Sequence, residues 1–425
     1  MDMKLKMEIK LTKQKILIYC GSGYVFDEIY GPIIESFRGQ AAIHLLMADF
    51  YLAPRNMDSL ERLKTEGKIS DYQIVQPYPR NKSAYESHRN IRDILHSLDH
   101  RRYDLLLLGS DFYVFDRYLI TFARSKGATV VILSTGTMWR VLREHTEGKN
   151  HNVKGILRKL FDFGTSWYGA FDSFINYYLF PFIFSGRIFP RNIYDRFAFA
   201  SNRADSVICF DPLEKEALRK VIPAMKNIFL AKHPASGLCK CGAASQNRAG
   251  KKILAAFAGN LAGEPRTDRF NRWVDIIKRA LKLIDAGEVH LRLHPRTSNN
   301  LTWPHRLLQE LQRSGFKVEI IKPLEKSLVD SVCEYEGVIG APSGSLRVAR
   351  AVCDRIFVVG VPNNSDGGLD DQKWILGNGE GIRWLEGNED LGPEHLKAGR
   401  KKQNDRLAVT DLLKARLSKL SEAVN

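Results

Sequence analysis

The stretch "GVIGAPSGSLRVARAVC", Gly337 to Cys353, falls into three parts. An apolar run ends at Gly340, a turn of small residues follows, and an amphipathic segment opens near Ser343 or Ser345. A strand that feeds a helix through small residues is the repeating unit of an open α/β sheet. Small residues also let the backbone approach a ligand, and the first N–H groups of a helix have no acceptor inside it. Such a terminus holds an anion, with the hydroxyls of Ser343 and Ser345 beside Gly344 as extra donors. Serine as an ordinary N-cap is the plainer reading, and it is compatible with ligand binding.

The same grammar runs along most of the chain. In the first half the expected strands are "KILIYCG" (Lys15 to Gly21), "AIHLLMA" (Ala42 to Ala48), "YDLLLLGS" (Tyr103 to Ser110), "TVVILS" (Thr129 to Ser134) and "SVICF" (Ser206 to Phe210). In the second they are "KILAAFAGN" (Lys252 to Asn260), "EVHLRLHP" (Glu288 to Pro295), "FKVEIIKP" (Phe316 to Pro323), the Gly337 run, and "RIFVVGVP" (Arg355 to Pro362). Near-continuous Val, Ile and Leu runs separated by helix-length segments predict parallel sheets covered on both faces. The Gly-, Ala- and Lys-rich "SGLCKCGAASQNRAGKK" (Ser236 to Lys252) reads as a linker. A chain of 425 residues exceeds what one core usually supports. The expected fold class is therefore α/β, with two Rossmann-like domains facing a cleft. The boundaries read as 1–240 for an N-terminal Rossmann-like domain and 250–400 for a C-terminal one, with a C-terminal helix over 401–425.

Composition narrows the function classes. The 64 Lys+Arg against 48 Asp+Glu give +16, which favours a polyanionic partner or an anionic membrane surface without choosing between them. Six cysteines without a paired CxxC pattern argue against a disulfide framework, and the Cys239-x-Cys241 spacing misses the usual zinc patterns. The first residues lack a continuous apolar core, so no cleaved signal and a cytoplasmic location are expected. No Walker loop is present, and "GSG" at Gly21, Ser22 and Gly23 lacks the full dinucleotide fingerprint.

A second anion signal stands in "VHLRLHPRTSNN" (Val289 to Asn300), where a strand runs into His294, Pro295 and Arg296. His294 can donate to a phosphate oxygen and Arg296 can add charge. Two Rossmann-like halves, a strand ending in His-Pro and a later strand-turn-helix carrying serines resemble the GT-B glycosyltransferases. More narrowly, they resemble bacterial transferases with cytidylate donors: sialyltransferases, Kdo transferases of capsule synthesis and CDP-glycerol glycerophosphotransferases. The resemblance implies that His294, Pro295, Ser343, Gly344 and Ser345 bind the nucleotide phosphate. It also implies a nucleotide-sugar donor, CMP-linked before UDP-linked, and a glycan or lipid-linked acceptor in capsule or lipopolysaccharide synthesis.

The sialyltransferase acidic pair would fall at "VVILSTGTMWRVLRE", but Ser134, Thr135 and Gly136 stand there. A hydroxyl cannot replace a carboxylate as base near neutral pH. Substitutes are Asp111, Asp116 and Glu144, each with a plain alternative as a cap or solvated charge. Thr135 and Gly136, Gly21 to Gly23, and Gly259 with Asn260 are expected to touch donor or acceptor. No cofactor is expected, and without an Asp-x-Asp motif neither is a bound metal. The aromatic "SWYGAFDSFINYYLFPFIFSGRIFPRNIYDRFAF" (Ser166 to Phe199), an insertion near 150–200, is flanked by basic residues and too short to span a bilayer. It suits an interfacial segment or a buried helix. Two other functions remain open: a non-hydrolysing sugar-nucleotide 2-epimerase, and a non-catalytic basic protein binding glycan or nucleic acid. Under the transferase reading no nucleic acid is expected as a partner.

Overall fold

A computed structural model describes residues 13–37, 39–50, 52–77, 84–110, 114–134, 204–221, 227–236, 238, 251–256, 267–293, 302–322, 325–341, 343–353, 355–361, 382–385, 390–397 and 406–424. The insertion near 150–200 and nearly all of the expected linker lie outside these residues.

Strands β1 (Lys15–Cys20), β2 (Ala42–Ala48), β3 (Asp71–Val75), β4 (Leu105–Leu108), β5 (Thr129–Leu133), β6 (Ser206–Cys209) and β7 (Ile228–Leu230) form one sheet. Their order is β3-β2-β1-β4-β5-β6-β7, and every pairing is parallel. A second parallel sheet takes β8 (Lys252–Ala256), β9 (Glu288–Arg292), β10 (Lys317–Ile321), β11 (Gly337–Gly340), β12 (Phe357–Gly360) and β13 (Ile382–Trp384) in the order β10-β9-β8-β11-β12-β13. The two α/β domains have the GT-B architecture, so the expected fold class holds.

The helices follow the strands. The first domain holds α1 (residues 23–37, with a π turn at Phe26–Tyr30), α2 (Pro54–Thr65), α3 (Ala84–Leu98), α4 (Val114–Ser125) and α5 (Pro212–Val221). The second holds α6 (Thr267–Leu283), α7 (Thr302–Arg313), α8 (Leu328–Ser331) and α9 (Gly344–Val352), and α10 (Val409–Val424) ends the chain. They cover both faces of each sheet, which is why the central strands read as unbroken apolar runs. Along β1, Ile16 and Ile18 enter one core while Leu17 and Tyr19 enter the other. The edge strands β3 and β10 keep polar residues because one face of each is partly exposed.

The chain changes domain over a few residues. Ala231 packs in the first-domain core and Ala235 in the second. It returns at the end: α10 places Val409, Leu413 and Leu417 against Ile33, Ile34 and Phe37 of α1. The tail thus packs on the first domain. Among the described residues no helix is long and apolar enough to cross a membrane.

Leu413 is fully buried at that return, so Leu413→Ala is expected to cost about 2–5 kcal/mol. Hydrogen exchange should show β1 and β2 losing protection while β8 and β9 keep theirs.

Candidate functional site

Both sheets reverse their winding beside a central strand, between β1 and β4 in the first and between β8 and β11 in the second. Ligands of open α/β sheets gather in the crevice at the carboxyl ends of such strands.

On the second-domain side, β11 ends at Gly340, whose missing side chain lets the strand lie close to β8: a Cβ there would stand 2.8 Å from the Ala256 carbonyl oxygen. Ser343 then takes the N-cap position of α9 with an extended backbone, yet its side chain makes no capping bond. Its Oγ is buried and has no hydrogen-bond partner among the described residues. The capping role expected for serine is therefore unfilled, and the donor is left available to a ligand. Gly344 is exposed, with open space where its Cβ would be, and Ser345 is half-buried beside it. Neither the Gly344 nor the Ser345 N–H has an acceptor within the helix, by position. One turn on, Arg347 brings Nη1 to 3.8 Å from Glu214 Oε2, the carboxylate of the first domain's α5.

Glu214 is buried and receives Ser134 Oγ–H on one oxygen and the Phe210 N–H, at 3.4 Å, on the other. Burial raises its pKa, while Arg347 and then Ser134 lower it. Ser134 therefore serves a structural carboxylate at the end of β5. Arg292, which ends β9, is also buried and donates to the Lys326 carbonyl at 2.8 Å. Burial lowers its pKa, and the charge of Glu28 in the first domain is the largest opposing influence.

Glu28 sits in the π turn of α1, one turn past Gly23. It is half-buried and makes no hydrogen bond or ion pair with any described residue. Desolvation lifts its carboxyl from the ordinary 4.5 to about 7, against the attraction of Arg292 and Arg347 from across the cleft. Its neighbour Asp27 is committed: Arg55 meets Oδ2 at 2.9 Å and Asn56 meets Oδ1 at 2.7 Å. Fully buried Asn56 also accepts the Ala53 N–H at 2.9 Å, tying the start of α2 to α1. Burial raises both adjacent carboxyls, and Asp27 is the one whose oxygens are taken by Arg55 and Asn56.

The sequence-predicted residues divide unevenly. Ser343, Gly344 and Ser345 stand at the switch point of the second sheet, and Gly21, Ser22 and Gly23 stand at that of the first. Gly21 is exposed with open space beside it, but the Gly23 N–H is already bonded to the Phe50 carbonyl at 3.2 Å, so the GSG turn offers less to an anion. Asp116 is buried and accepts the Ser110 hydroxyl, a cap of the β4–α4 connection rather than a base facing the cleft. Asp111, Thr135, Gly136, Glu144, Gly259, Asn260, His294, Pro295 and Arg296 lie outside the described residues. Sequence reasoning missed Glu28, Arg292, Arg347 and Glu214. The available signal for Glu28 was an acidic pair one turn into the helix that follows the central strand.

No protein-family model matches the chain, and no curated protein matches its sequence. Solved structures match its architecture. TcCGT1, solved in complex with UDP, shares 9% identity at a TM-score of 0.52, over 97% of this chain and 94% of its own. The UDP-GlcNAc 2-epimerase of Methanocaldococcus jannaschii, solved with UDP-GlcNAc and UDP, shares 13% at 0.50, over 96% and 100%. A UDP-glucosyltransferase from Polygonum tinctorium shares 13% at 0.50, over 96% and 93%. At these identities the likeness is one of fold.

The raised pKa of Glu28 has a stability consequence. The folded state holds the proton more tightly than the unfolded one, so ionised Glu28 costs stability as pH rises from 4.5 to about 7. Glu28→Gln removes that cost. It should melt higher than the wild type at pH 8, by on the order of 1–2 kcal/mol after allowance for its partial exposure, and no higher at pH 4.

Proposed function

We propose that this protein is a glycosyltransferase that moves a sugar from a nucleotide donor to a glycan acceptor in the cleft between its domains. The observation that carries the reading is the pairing of two switch points. One offers a buried, unpartnered Ser343 hydroxyl at the open start of α9; the other offers Glu28, a carboxyl that titrates near neutral pH.

The donor phosphate is assigned to Ser343, Gly344 and Ser345, with Arg347 close by. His294 and Arg296, which follow β9 in sequence, are assigned to the same group. As the bond from the anomeric carbon to the phosphate oxygen breaks, the electron pair leaves with the nucleotide. Helix-terminal N–H groups, a hydroxyl and a guanidinium aimed at that oxygen stabilise the developing charge. Glu28 takes the proton of the acceptor hydroxyl, whose oxygen forms the new bond to the anomeric carbon. A base that titrates near the working pH is well matched to that task. Asp111 and Glu144, the bases expected from sequence, are tested beside it.

The donor nucleotide is the finer part of the reading. The resemblance of the His-Pro and serine motifs favours CMP, whereas TcCGT1 and the M. jannaschii epimerase were solved with UDP. We assign a uridine- or cytidine-linked sugar and leave the choice to ligand protection. The epimerase reading has the same claim on the fold, and Glu28 supports it too, since epimerisation needs a carboxylate that moves a proton at the sugar. A capsule or lipopolysaccharide acceptor at an anionic membrane surface is part of the proposal and rests on the +16 charge and the 166–199 composition.

A thermal-shift panel of CMP, CDP, UDP, GDP and ADP should show protection by a pyrimidine nucleotide that exceeds ADP. Ser343→Ala should reduce that protection by about 1 kcal/mol without lowering the melting point of the free protein. Glu28→Gln should bind the nucleotide normally and lose about 10²–10⁴ in turnover, while the wild-type rate at low donor concentration, kcat/KM, rises with pH through about 7. Formation of a 2-epimer from UDP-GlcNAc without acceptor would replace the transferase reading, and equal behaviour of all five nucleotides would remove both.

A further inference from the structure

The edge of each sheet away from the cleft carries a recurring arrangement. In the first domain His44, the third residue of β2, meets the hydroxyl of Tyr103, two residues ahead of β4, with Nδ1 at 2.6 Å. In the second, His290, the third residue of β9, meets that of Tyr335, two residues ahead of β11, at 3.0 Å. The frames correspond in register: Leu17, His44 and Asp71 lie abreast on β1, β2 and β3, as Leu254, His290 and Glu319 do on β8, β9 and β10. The backbone repeats as well, with Asp104 N–H bonded to the Lys15 carbonyl at 2.8 Å and Glu336 N–H to that of Lys252 at 2.9 Å.

The halves differ in what meets the carboxylate of the edge strand. In the first, the Arg101 guanidinium lies 2.9 Å from His44 Nδ1 and 3.3 Å from Asp71 Oδ2, so a cation of the chain ties β3 to β2. In the second, the residue two before the tyrosine is Cys333, and β9 opens with Glu288 where β2 opens with Ala42. No guanidinium meets the imidazole from that position, and a carboxylate is added beside it. His290 Nε2 lies 2.7 Å from Glu288 Oε1 and 3.4 Å from Glu319 Oε2, and the three ligand atoms fall within 4.8 Å of one another. Lys317 also reaches Glu288, at 3.2 Å, but it is 73% exposed and solvent-screened.

We propose that Glu288, His290 and Glu319 bind a divalent cation of the zinc class, which pins edge strand β10 to β9 as Arg101 pins β3 to β2. Zinc bonds of about 2.0–2.2 Å set ligand separations of roughly 3.4 Å in a tetrahedron, close to those around Nε2. An imidazole among the ligands favours this class over magnesium or calcium. Glu319 is 60% exposed, so ion and water reach the site from solvent. On loading, Nε2 loses the proton it otherwise donates to Glu288, and Nδ1–H donates to the Tyr335 hydroxyl, which orients the ring. The site lies at the amino-terminal ends of β9 and β10, so it is independent of the cleft chemistry.

The test is Co²⁺ titration of the full chain after chelation, with Co²⁺ as the spectroscopic stand-in for Zn²⁺. One equivalent should bind with a visible spectrum of nitrogen and oxygen ligands and without a thiolate charge-transfer band, and Zn²⁺ should raise the melting point. Glu319→Gln, on the exposed side and expected to fold, and Glu288→Gln should each weaken binding by about tenfold or more. Equal affinity in the wild type and both variants, uptake with a thiolate band alone, or no uptake would overturn the site.

Discussion

A parallel sheet sends the carboxyl end of every strand to the same edge, and the rest of this molecule follows from that constraint. Hydrogen bonding between parallel neighbours requires a crossover for each connection, and the crossovers cover both faces with helices. The side chains of the central strands are then committed to packing: Ile16 to Ile18 and Ile253 to Ala255 are at most 1% exposed. Chemistry is left to the residues just beyond the strand ends. Ser343 and Arg292 stand at or just past such an end, and Glu28 and Glu214 lie in the opening turns of the helices that follow one.

The cleft is charged in a particular way. Across it, Glu28 and Glu214 of the first domain attract Arg292 and Arg347 of the second. Removing these groups from water is costly, and their mutual attraction across the cleft offsets part of the cost. For Glu28 the desolvation wins, because no hydrogen bond holds its charged form and both arginines act only at a distance. Asp27, one residue earlier, is also raised by burial, but Arg55 and Asn56 bond its oxygens and oppose that shift. Adjacent carboxylates with different partners are thereby assigned to different tasks, one structural and one available to move a proton.

The sequence made the fold legible where strands are central and obscured it at the edges. Each of the ten quoted apolar runs contains a strand; the central ones are nearly free of polar interruptions because both faces are buried, and the edge strand β10 was legible by its alternation instead. "DYQIV" at β3 escaped notice because an edge strand tolerates Asp71 and Gln73, and β7 and β13, at three residues each, are too short to show a period. For the site, the serine turn was readable because small residues after a strand have a local meaning. Arg292 was not, because it lies inside the apolar run and nothing local shows that Glu28 of the other domain acts on it. Asp116 misled for the converse reason: its local partner, Ser110, is six residues away but joins it only after the β4–α4 turn has formed.

The contact between Arg347 and Glu214 joins the second domain to the first beside the start of α9. At 3.8 Å it is a long ion pair, and Arg347 stands one turn from the Gly344 end of α9. An anion seated at that end, as the proposed function requires, competes with Glu214 for the guanidinium at closer range and with helix N–H groups beside it. Glu214 loses little by the exchange, since Ser134 and the Phe210 N–H remain on its oxygens. Glu28 would then face a cleft in which phosphate neutralises part of the arginine charge, and the attraction that opposes its desolvation would weaken. Under that reading, donor binding itself pushes the Glu28 pKa further upward, so the carboxyl becomes a stronger base once the donor is in place.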